Sequence, residues 1–286
     1  MPRSSNTFKG RAAYSRLRVR ACRNGRLDSQ DDDVAEEVPV ALVYNGESHV
    51  VMMATPQDLE DFGLGFSLSE DVIAKPEELE ALEVFELPDA SASGGYELRM
   101  RIPEARHAAL TSRRRNLVGR TGCGLCGAED LAGAIRSPRR VGAGLVVEAE
   151  SIRRALAALR RHQPINAATG ATHAAGWATA EGEVVLARED VGRHNALDKL
   201  IGALVRERLE PARGFAVVTS RASYEMALKA AMAGIPLLAA ISAPTVHAIR
   251  VAEEAGLTLI GYGRGDSFVV YACPARVLEA RAAAPA

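Results

Sequence analysis

Long apolar runs are missing from this sequence, and none reaches the ~20 residues that a membrane-spanning helix requires. Cysteine is scarce: four in 286 residues, two of them in one motif, make no disulfide framework and fit a reducing cytosol. Net charge is nearly absent, −1 at pH 7, so no whole-protein field steers the chain to nucleic acid and any anion site must be local. There is no internal repeat. Residues 1–27 lack acids altogether while carrying eight basic residues, and residues 28–37 reverse the sign with six acids. Without an apolar h-region a secretory signal is not expected. The Arg-rich, acid-poor start has the composition of an organelle transit peptide, but a polar, unpatterned, mobile arm is the simpler expectation.

What is present is concentrated. Hydrophobic residues make up 48% of the chain, enough to core one large domain or two modest ones. In Gly119-Arg120-Thr121-Gly122-Cys123-Gly124-Leu125-Cys126-Gly127 two cysteines stand as C-x-x-C among glycines that let the backbone bend and leave the sulfurs unshielded. Arg106, Arg113, Arg114, Arg115 and Arg120 precede the pair, Arg136, Arg139 and Arg140 follow it, and only Glu129 and Asp130 oppose them. Residues 128–136 read as a helix with those two acids in its first turn, which sets Cys126 near a helix N-terminus. Cationic surroundings and a helix N-terminus both favour thiolate, lowering a cysteine from ~8.5 to roughly 3.5–7.5. Three chemistries compete for the motif. A structural zinc knuckle needs four ligands, yet Cys22 and Cys273 are single and distant, and no histidine lies within ten residues of the motif. A thioredoxin-like dithiol wants a buried apolar strand before it, and none is there. A sulfur-carrying nucleophile needs only an exposed, activated thiol on a positively charged loop, and these residues favour it.

From Val38 the chain becomes globular. Val38–Val43 and His49–Met53 are strand-like runs around Asn45-Gly46, a hairpin signal. Thr55-Pro56 opens a helix, with Thr55 as N-cap and Leu59, Phe62, Leu64, Phe66 and Leu68 as its apolar residues. Leu82–Leu87 and Tyr96–Ile102 add two strands, giving a small α+β unit whose His49 and His107 have no partner at ligand spacing. Residues 105–144 hold an arginine-rich linker and the C-x-x-C loop. Beyond it Ser151 caps a helix, 174–179 and 184–187 form a hairpin around Glu181-Gly182, and Asp190 caps another helix. Strands over 215–219, 237–241, 257–262 and 268–271 alternate with helices that stop at Gly234 and Gly256. The order α-β-β-α-β-α-β-α-β describes a three-layer α/β/α sandwich on a mixed sheet.

Polar clusters follow the strands. Arg188-Glu189-Asp190-Val191-Gly192-Arg193-His194-Asn195, Thr219-Ser220-Arg221-Ala222-Ser223, Ser242-Ala243-Pro244-Thr245 and Gly261-Tyr262-Gly263-Arg264-Gly265-Asp266 each leave a strand end. In open α/β sheets ligands bind outside the carboxyl ends of parallel strands, where helix N-termini present N–H groups to phosphates and Arg221 and Arg264 can clamp them. One such cluster alone reads as a capped turn; four together favour a nucleotide-like or other phosphorylated ligand. His162 and His247 look unremarkable.

These residues carry a resemblance. Residues 54–66, Cys123-Gly124-Leu125-Cys126-Gly127, Thr172-His173-Ala174, residues 189–199, Ser220-Arg221-Ala222-Ser223 and Ser242-Ala243-Pro244-Thr245 follow one another as in the formate dehydrogenase accessory sulfurtransferases, the FdhD family, which the chain resembles over residues 38–271. The resemblance implies a protein that receives sulfur from a cysteine desulfurase as a cysteine persulfide and passes it to the bis-molybdopterin guanine dinucleotide form of the molybdenum cofactor, for formate dehydrogenase. It implies that Cys123 carries the persulfide, that Cys126 assists or resolves it, and that Tyr262, Gly263, Arg264, Gly265, Asp266 and Ser267, with Arg221 and His194, bind the cofactor. GDP is then a partial mimic, and a cytoplasmic homodimer without membrane or nucleic acid is expected. The implied fold is a three-layer α/β/α, cytidine-deaminase-like C-terminal domain over 150–286. It is preceded by a mobile arm over 1–35, an α+β domain over 36–118 and the C-x-x-C loop and linker over 119–149. A zinc deaminase on that fold needs an H-x-E helix followed by P-C-x-x-C. Here Thr172-His173 runs into Ala174-Ala175 and the C-x-x-C comes first, so no zinc is expected. A chaperone that only holds the molybdenum cofactor would use the same site and stays open.

Overall fold

The computed structural model describes residues 11–88, 94–115 and 136–279. The expected patternless arm is folded from Tyr14 onward: β1 (Tyr14–Arg23) and β2 (Arg26–Ala35) pair antiparallel through ten positions. Asn24 and Gly25 both sit at positive φ, 50° and 79°, in the turn between them. Asn-Gly is a strong hairpin signal. It was masked by the charge reversal, which marks two complementary strands: Arg16 pairs with Asp33 and Arg18 with Asp31 across the ladder.

The first core sheet follows the expected pattern. Val38, Val40, Leu42 and Tyr44 alternate inward along β3 (Val38–Tyr44) and are buried. β3 turns at Asn45-Gly46 into β4 (Glu47–Ala54), and β5 (Ala81–Leu87) and β6 (Gly95–Arg101) complete the order β4-β3-β6-β5, with β3 and β6 parallel. The intervening helix, α1 (Leu59–Ser69), starts later than the Thr55-Pro56 signal: Asp58 is its N-cap, at a φ of 53°. Thr55 is drawn off into contacts with the second half of the chain. Residues 105–115, expected as linker, lie in α2 (Glu104–Arg115), because alanine and arginine are strong helix formers and Pro103 and Glu104 suit a helix start.

The second sheet has six strands in the order β13-β12-β11-β10-β8-β9. They are β8 (His173–Thr179), β9 (Val184–Asp190), β10 (Gly214–Val218), β11 (Leu237–Ala240), β12 (Thr258–Arg264) and β13 (Ser267–Ala272). The short β7 (Val147–Glu148) pairs with β14 (Val277–Leu278). β10, β11 and β12 are parallel, and β8 and β13 run antiparallel to their neighbours. Alternation assigns the faces. Phe215, Val217, Leu237, Ala239 and Ile260 pack with Ile152, Ala155 and Leu156 of α3 (Ala149–Ala158). The opposite residues, Ala216, Val218, Leu238, Ala240 and Leu259, share a core with α5 (Arg193–Arg206), α6 (Tyr224–Met232) and α7 (Val246–Ala255). The short α4 (Pro164–Thr169) was not foreseen. Two caps also differ: Gly192 rather than Asp190 precedes α5, and Ser151 lies buried inside α3 rather than capping it. Thr245 caps α7, its hydroxyl accepting from the Ala248 amide at 3.2 Å.

One core spans both sheets, and α1 is its seam. Every α1 residue except Glu60 is buried, the pattern of a helix covered on all sides. One side meets the first sheet through Phe62 and Gly63. The other lies directly on α5: a Cβ on Gly65 would stand 1.7 Å from the Asp198 carbonyl oxygen, and one on Gly202 would stand 1.9 Å from that of Asp61. Backbone therefore rests on backbone, and no side chain larger than hydrogen fits. Gly65→Ala is expected to destabilise the protein by at least ~2 kcal/mol, since the helices must part. Gly142→Ala, where nothing lies within 4 Å of the added carbon, should change little. Urea unfolding of the two variants checks this; equal midpoints would show that the helices are not in contact.

Candidate functional site at the carboxyl edge of the second sheet

β9, β10, β11 and β12 all deliver their carboxyl ends to one edge, because β8 reverses between β10 and β9. There α5, α6 and α7 begin, so three helix N-termini open along the same rim. The connecting loops are stitched together. Ala222 donates to the Ala243 carbonyl (3.2 Å), Thr245 to that of Ala222 (3.1 Å) and Tyr262 to that of Ser242 (3.2 Å). Three of the four strand-end clusters seen in the sequence are thus neighbours, and the cluster after β9 approaches them through His194.

His194, in the first turn of α5, places Nε2 2.7 Å from Glu225 Oε2 at the start of α6. Burial pushes Glu225 up, but His194 and then Lys229 outweigh it and hold the carboxyl below its ordinary range. His173, at the start of β8, is pushed down by burial and by the neighbouring Arg193 and His194, so it favours the neutral imidazole. Arg221 is exposed on the loop after β10. Beside it the Tyr224 and His247 rings lie 4.6 Å apart, so His247 belongs to this rim, unlike its unremarkable appearance in the sequence.

Residues 262–267, expected as a loop leaving the last core strand, are the turn of a hairpin. β12 runs on to Arg264 and returns as β13 after Gly265 and Asp266. Tyr262 holds a positive φ of 54° at an irregularity in the ladder and is 49% exposed. A bulky residue in that conformation is an outlier of the kind that collects at binding sites. Arg264 donates Nε to the Ile241 carbonyl at 3.0 Å, which ties its guanidinium to the loop after β11. Asp266 is ion-paired with Arg153 of α3, which offsets its charge at the rim. Gly263 is a packing position, since a Cβ there would meet Leu156 Cδ1 at 2.5 Å. Ser267 is exposed at the first position of β13. Cys123 and Cys126 lie outside the described residues, as does the helix expected over 128–136. Among the described residues no group of three or more His, Cys, Asp and Glu is disposed to hold a metal ion, and no helix is long and apolar enough to cross a membrane.

Beneath the rim lies a charge network that sequence reasoning missed. Lys229 of α6, with its side chain 5% exposed, reaches Asp198 (2.9 Å), Glu70 (2.7 Å) and Ser69 (3.0 Å). Burial pulls Lys229 down, yet Asp198 and Glu70 together hold it above its ordinary value. Arg136, the first residue described after the C-x-x-C segment, pairs with Glu70 at 2.8 Å, and its amide donates to Tyr224 Oη at 2.9 Å. The chain therefore re-enters the fold beside the His194–Glu225 pair. The one available signal was the lysine inside the apolar run of α6, where a solvated residue would not sit.

A comparison with family models matches residues 35–278 to the FdhD/NarQ family. The chain is 56% identical over 259 residues, 91% of its length and 90% of the relative's, to a protein named sulfur carrier protein FdhD from Xanthomonas campestris pv. campestris (strain B100). It is 49% identical, over 92% of its length and 90% of the relative's, to a protein of the same name from Cupriavidus necator (strain H16). Its fold is similar to the crystal structure of a formate dehydrogenase accessory protein from Desulfotalea psychrophila, with a TM-score of 0.74 at 24% identity over 93% of this chain and 100% of that one.

Burial pushes the Glu70 carboxyl up, but Lys229 and then Arg136 dominate and hold it near about 2, against an ordinary 4.5. Such a depressed acid stabilises the fold fully above about 4.5, and its contribution fades as pH falls toward about 2. Glu70→Gln is expected to cost ~1.5–3 kcal/mol at pH 7, the range for hydrogen bonds to charged groups. The gap from the wild type should narrow through that acid window. Urea unfolding of both proteins at neutral and acid pH measures it; a gap independent of pH would rule out the ionised carboxylate.

Proposed function

The chain belongs to the FdhD/NarQ family, and on that premise we propose that it is a sulfur carrier serving formate dehydrogenase, with Cys123 as the sulfur-bearing residue. The observation that carries this is the position of Cys123 and Cys126 inside the matched span, 35–278, in a chain 56% identical to a protein named as a sulfur carrier. The Cys123 thiolate attacks the outer sulfur of a cysteine desulfurase persulfide. That sulfur–sulfur bond breaks, its electron pair leaves with the desulfurase thiolate, and Cys123 becomes the persulfide. Cys126 then attacks Cys123 Sγ, closing a disulfide and expelling the outer sulfur as sulfide to the bis-molybdopterin guanine dinucleotide cofactor, which is the substrate. The disulfide accounts for both electrons and is reduced by thiol–disulfide exchange with a cellular dithiol before the next cycle. Cytoplasmic action, on which a reducing pool depends, and a homodimer complete the reading.

The rim supports the second half of this scheme. Helix N-termini and the arginines at 193, 221 and 264 suit a pyrophosphate. Arg136 is hydrogen-bonded at that rim, and Cys126 precedes it by ten residues, a span of at most ~36 Å of chain. The alternative of a chaperone that only holds the cofactor uses the same rim and differs in needing no thiol.

Incubation with a cysteine desulfurase and cysteine is expected to add one sulfur atom to Cys123, removable by reductant, as read by peptide mass spectrometry. Label on Cys22 or Cys273 instead would defeat the assignment. Wild-type delivery without any label on Cys123 would favour the chaperone. Cys123→Ala should abolish delivery while shifting stability by no more than ~0.5 kcal/mol.

GDP carries the pyrophosphate and guanine of the cofactor and is expected to bind weakly at the rim. Arg264→Ala should weaken it by ~1.5–3 kcal/mol, and rising salt should weaken it further. Cys123→Ala should leave it unchanged. Titration calorimetry separates these; binding indifferent to Arg264 and to salt would move the nucleotide off this rim.

A further inference from the structure

Outside the rim, the β1–β2 hairpin has an order that neither the core nor the proposed reaction uses. All of it but Ala35 precedes the matched family span, which starts at residue 35. It is a sheet of two strands by itself, and among the described residues each strand has one edge unpaired. β2 lies against α4, yet most side chains of both ten-residue strands are exposed. Leu17 is 48% exposed and Leu27 54%.

The sequence of β1 is patterned at period two. Arg16, Arg18 and Arg20 stand on one face, and Leu17, Val19 and Ala21 on the other. β2 satisfies part of the cationic face: Asp33 opposes Arg16 and Asp31 opposes Arg18, but Arg20 opposes Ser29. At the turn Arg23 stands opposite Arg26, a like-charge pair that disfavours the isolated hairpin. β1 therefore has a basic edge without an acid of its own, next to an acidic β2.

We propose that the free edge of β1 receives, by strand addition, an extended segment of a partner protein in which acidic and apolar residues alternate. Main-chain hydrogen bonds to the edge supply the affinity, and the period-two pattern supplies the selection. The acidic positions then lie beside Arg16, Arg18 and Arg20, and the apolar positions beside Leu17, Val19 and Ala21. Asp33 and Asp31 already hold Arg16 at 2.8 Å and Arg18 at 3.0 Å, so Arg20, opposite Ser29, is the arginine of this face left to select an acid on a strand added ~4.8 Å away. A nucleic acid laid across the face would meet both strands and their opposed charges. A second copy is also disfavoured: a two-fold pairing would set β1 on β1 or β2 on β2, like charge on like.

The test uses the full chain and fluorescence anisotropy of an eight-residue peptide alternating glutamate and valine. Three controls accompany it: the same peptide N-methylated at alternate residues, a lysine–valine version, and a single-stranded oligonucleotide of equal charge. The glutamate peptide is expected to bind, and each peptide control to bind at least tenfold more weakly. Arg18→Ser/Arg20→Ser, which touches no core residue, should weaken the glutamate peptide at least tenfold with an unchanged melting temperature. Binding that survives N-methylation, tighter binding of the oligonucleotide, or no binding of the glutamate peptide would each overturn the proposal.

Discussion

Two helices that touch through their backbones hold the rest of this molecule in place. Gly65 and Gly202 let α1 lie on α5 with carbonyl oxygens where side chains would be. Because α1 also covers the first sheet and α5 the second, the contact fixes the two sheets against each other. Close approach brings ionic groups of both helices into a dry interface, and these are satisfied there. Asp61 receives Arg188 at 2.8 Å and Arg206 at 2.7 Å. Lys199 pairs with Asp190 at 2.6 Å with both side chains fully buried. Thr55 closes that set: its amide donates to Asp190, its carbonyl accepts from Lys199, and its hydroxyl accepts from the Val191 amide.

Buried pairs of this kind add little net stability over an apolar interface, but losing one partner strands the other charge. Their use here is registry. Thr55, Asp190 and Lys199 fit in only one mutual position, which sets where α5 starts and hence where His194 stands. Much of the run 189–199 therefore faces inward. Glu189 accepts from the Ile165 and Asn166 amides and the Thr172 hydroxyl, and Asn195 donates to the Met53 carbonyl. His194 alone in the run turns to a partner on the rim, Glu225. A stretch that reads as a ligand-binding signature is largely the scaffold that aims one residue.

The same scaffold reaches the cysteine segment. Glu70 follows the last residue of α1, Lys229 lies in α6, and Arg136 joins them. Tyr224 contributes a hydroxyl to the Arg136 amide and a ring to His247. The point where the chain returns from the cysteine segment and the rim that carries His194 and Glu225 thus share one anchor at Glu70 and Lys229.

By itself the sequence determined the element order of both sheets, the continuous apolar runs that mark β10 and β11 as buried strands, and the strand-end clusters. Each is written locally, in hydrophobic period, in Asn-Gly and Gly stops, and in Thr245 at a helix start. It also carried the hairpin signal at Asn24-Gly25 and the helix over residues 104–115, but average charge was louder than either and led to an arm and a linker. The tertiary structure decided what depends on contacts between distant residues. Thr55 lost its capping role because Asp190 and Lys199, more than 130 positions on, bind its backbone. Arg264 was tied to Ile241, and Gly263 became a packing site under Leu156. Glu70, Lys229 and Glu225 gained their roles only when three helices met, since no local pattern specifies which buried charge will face which.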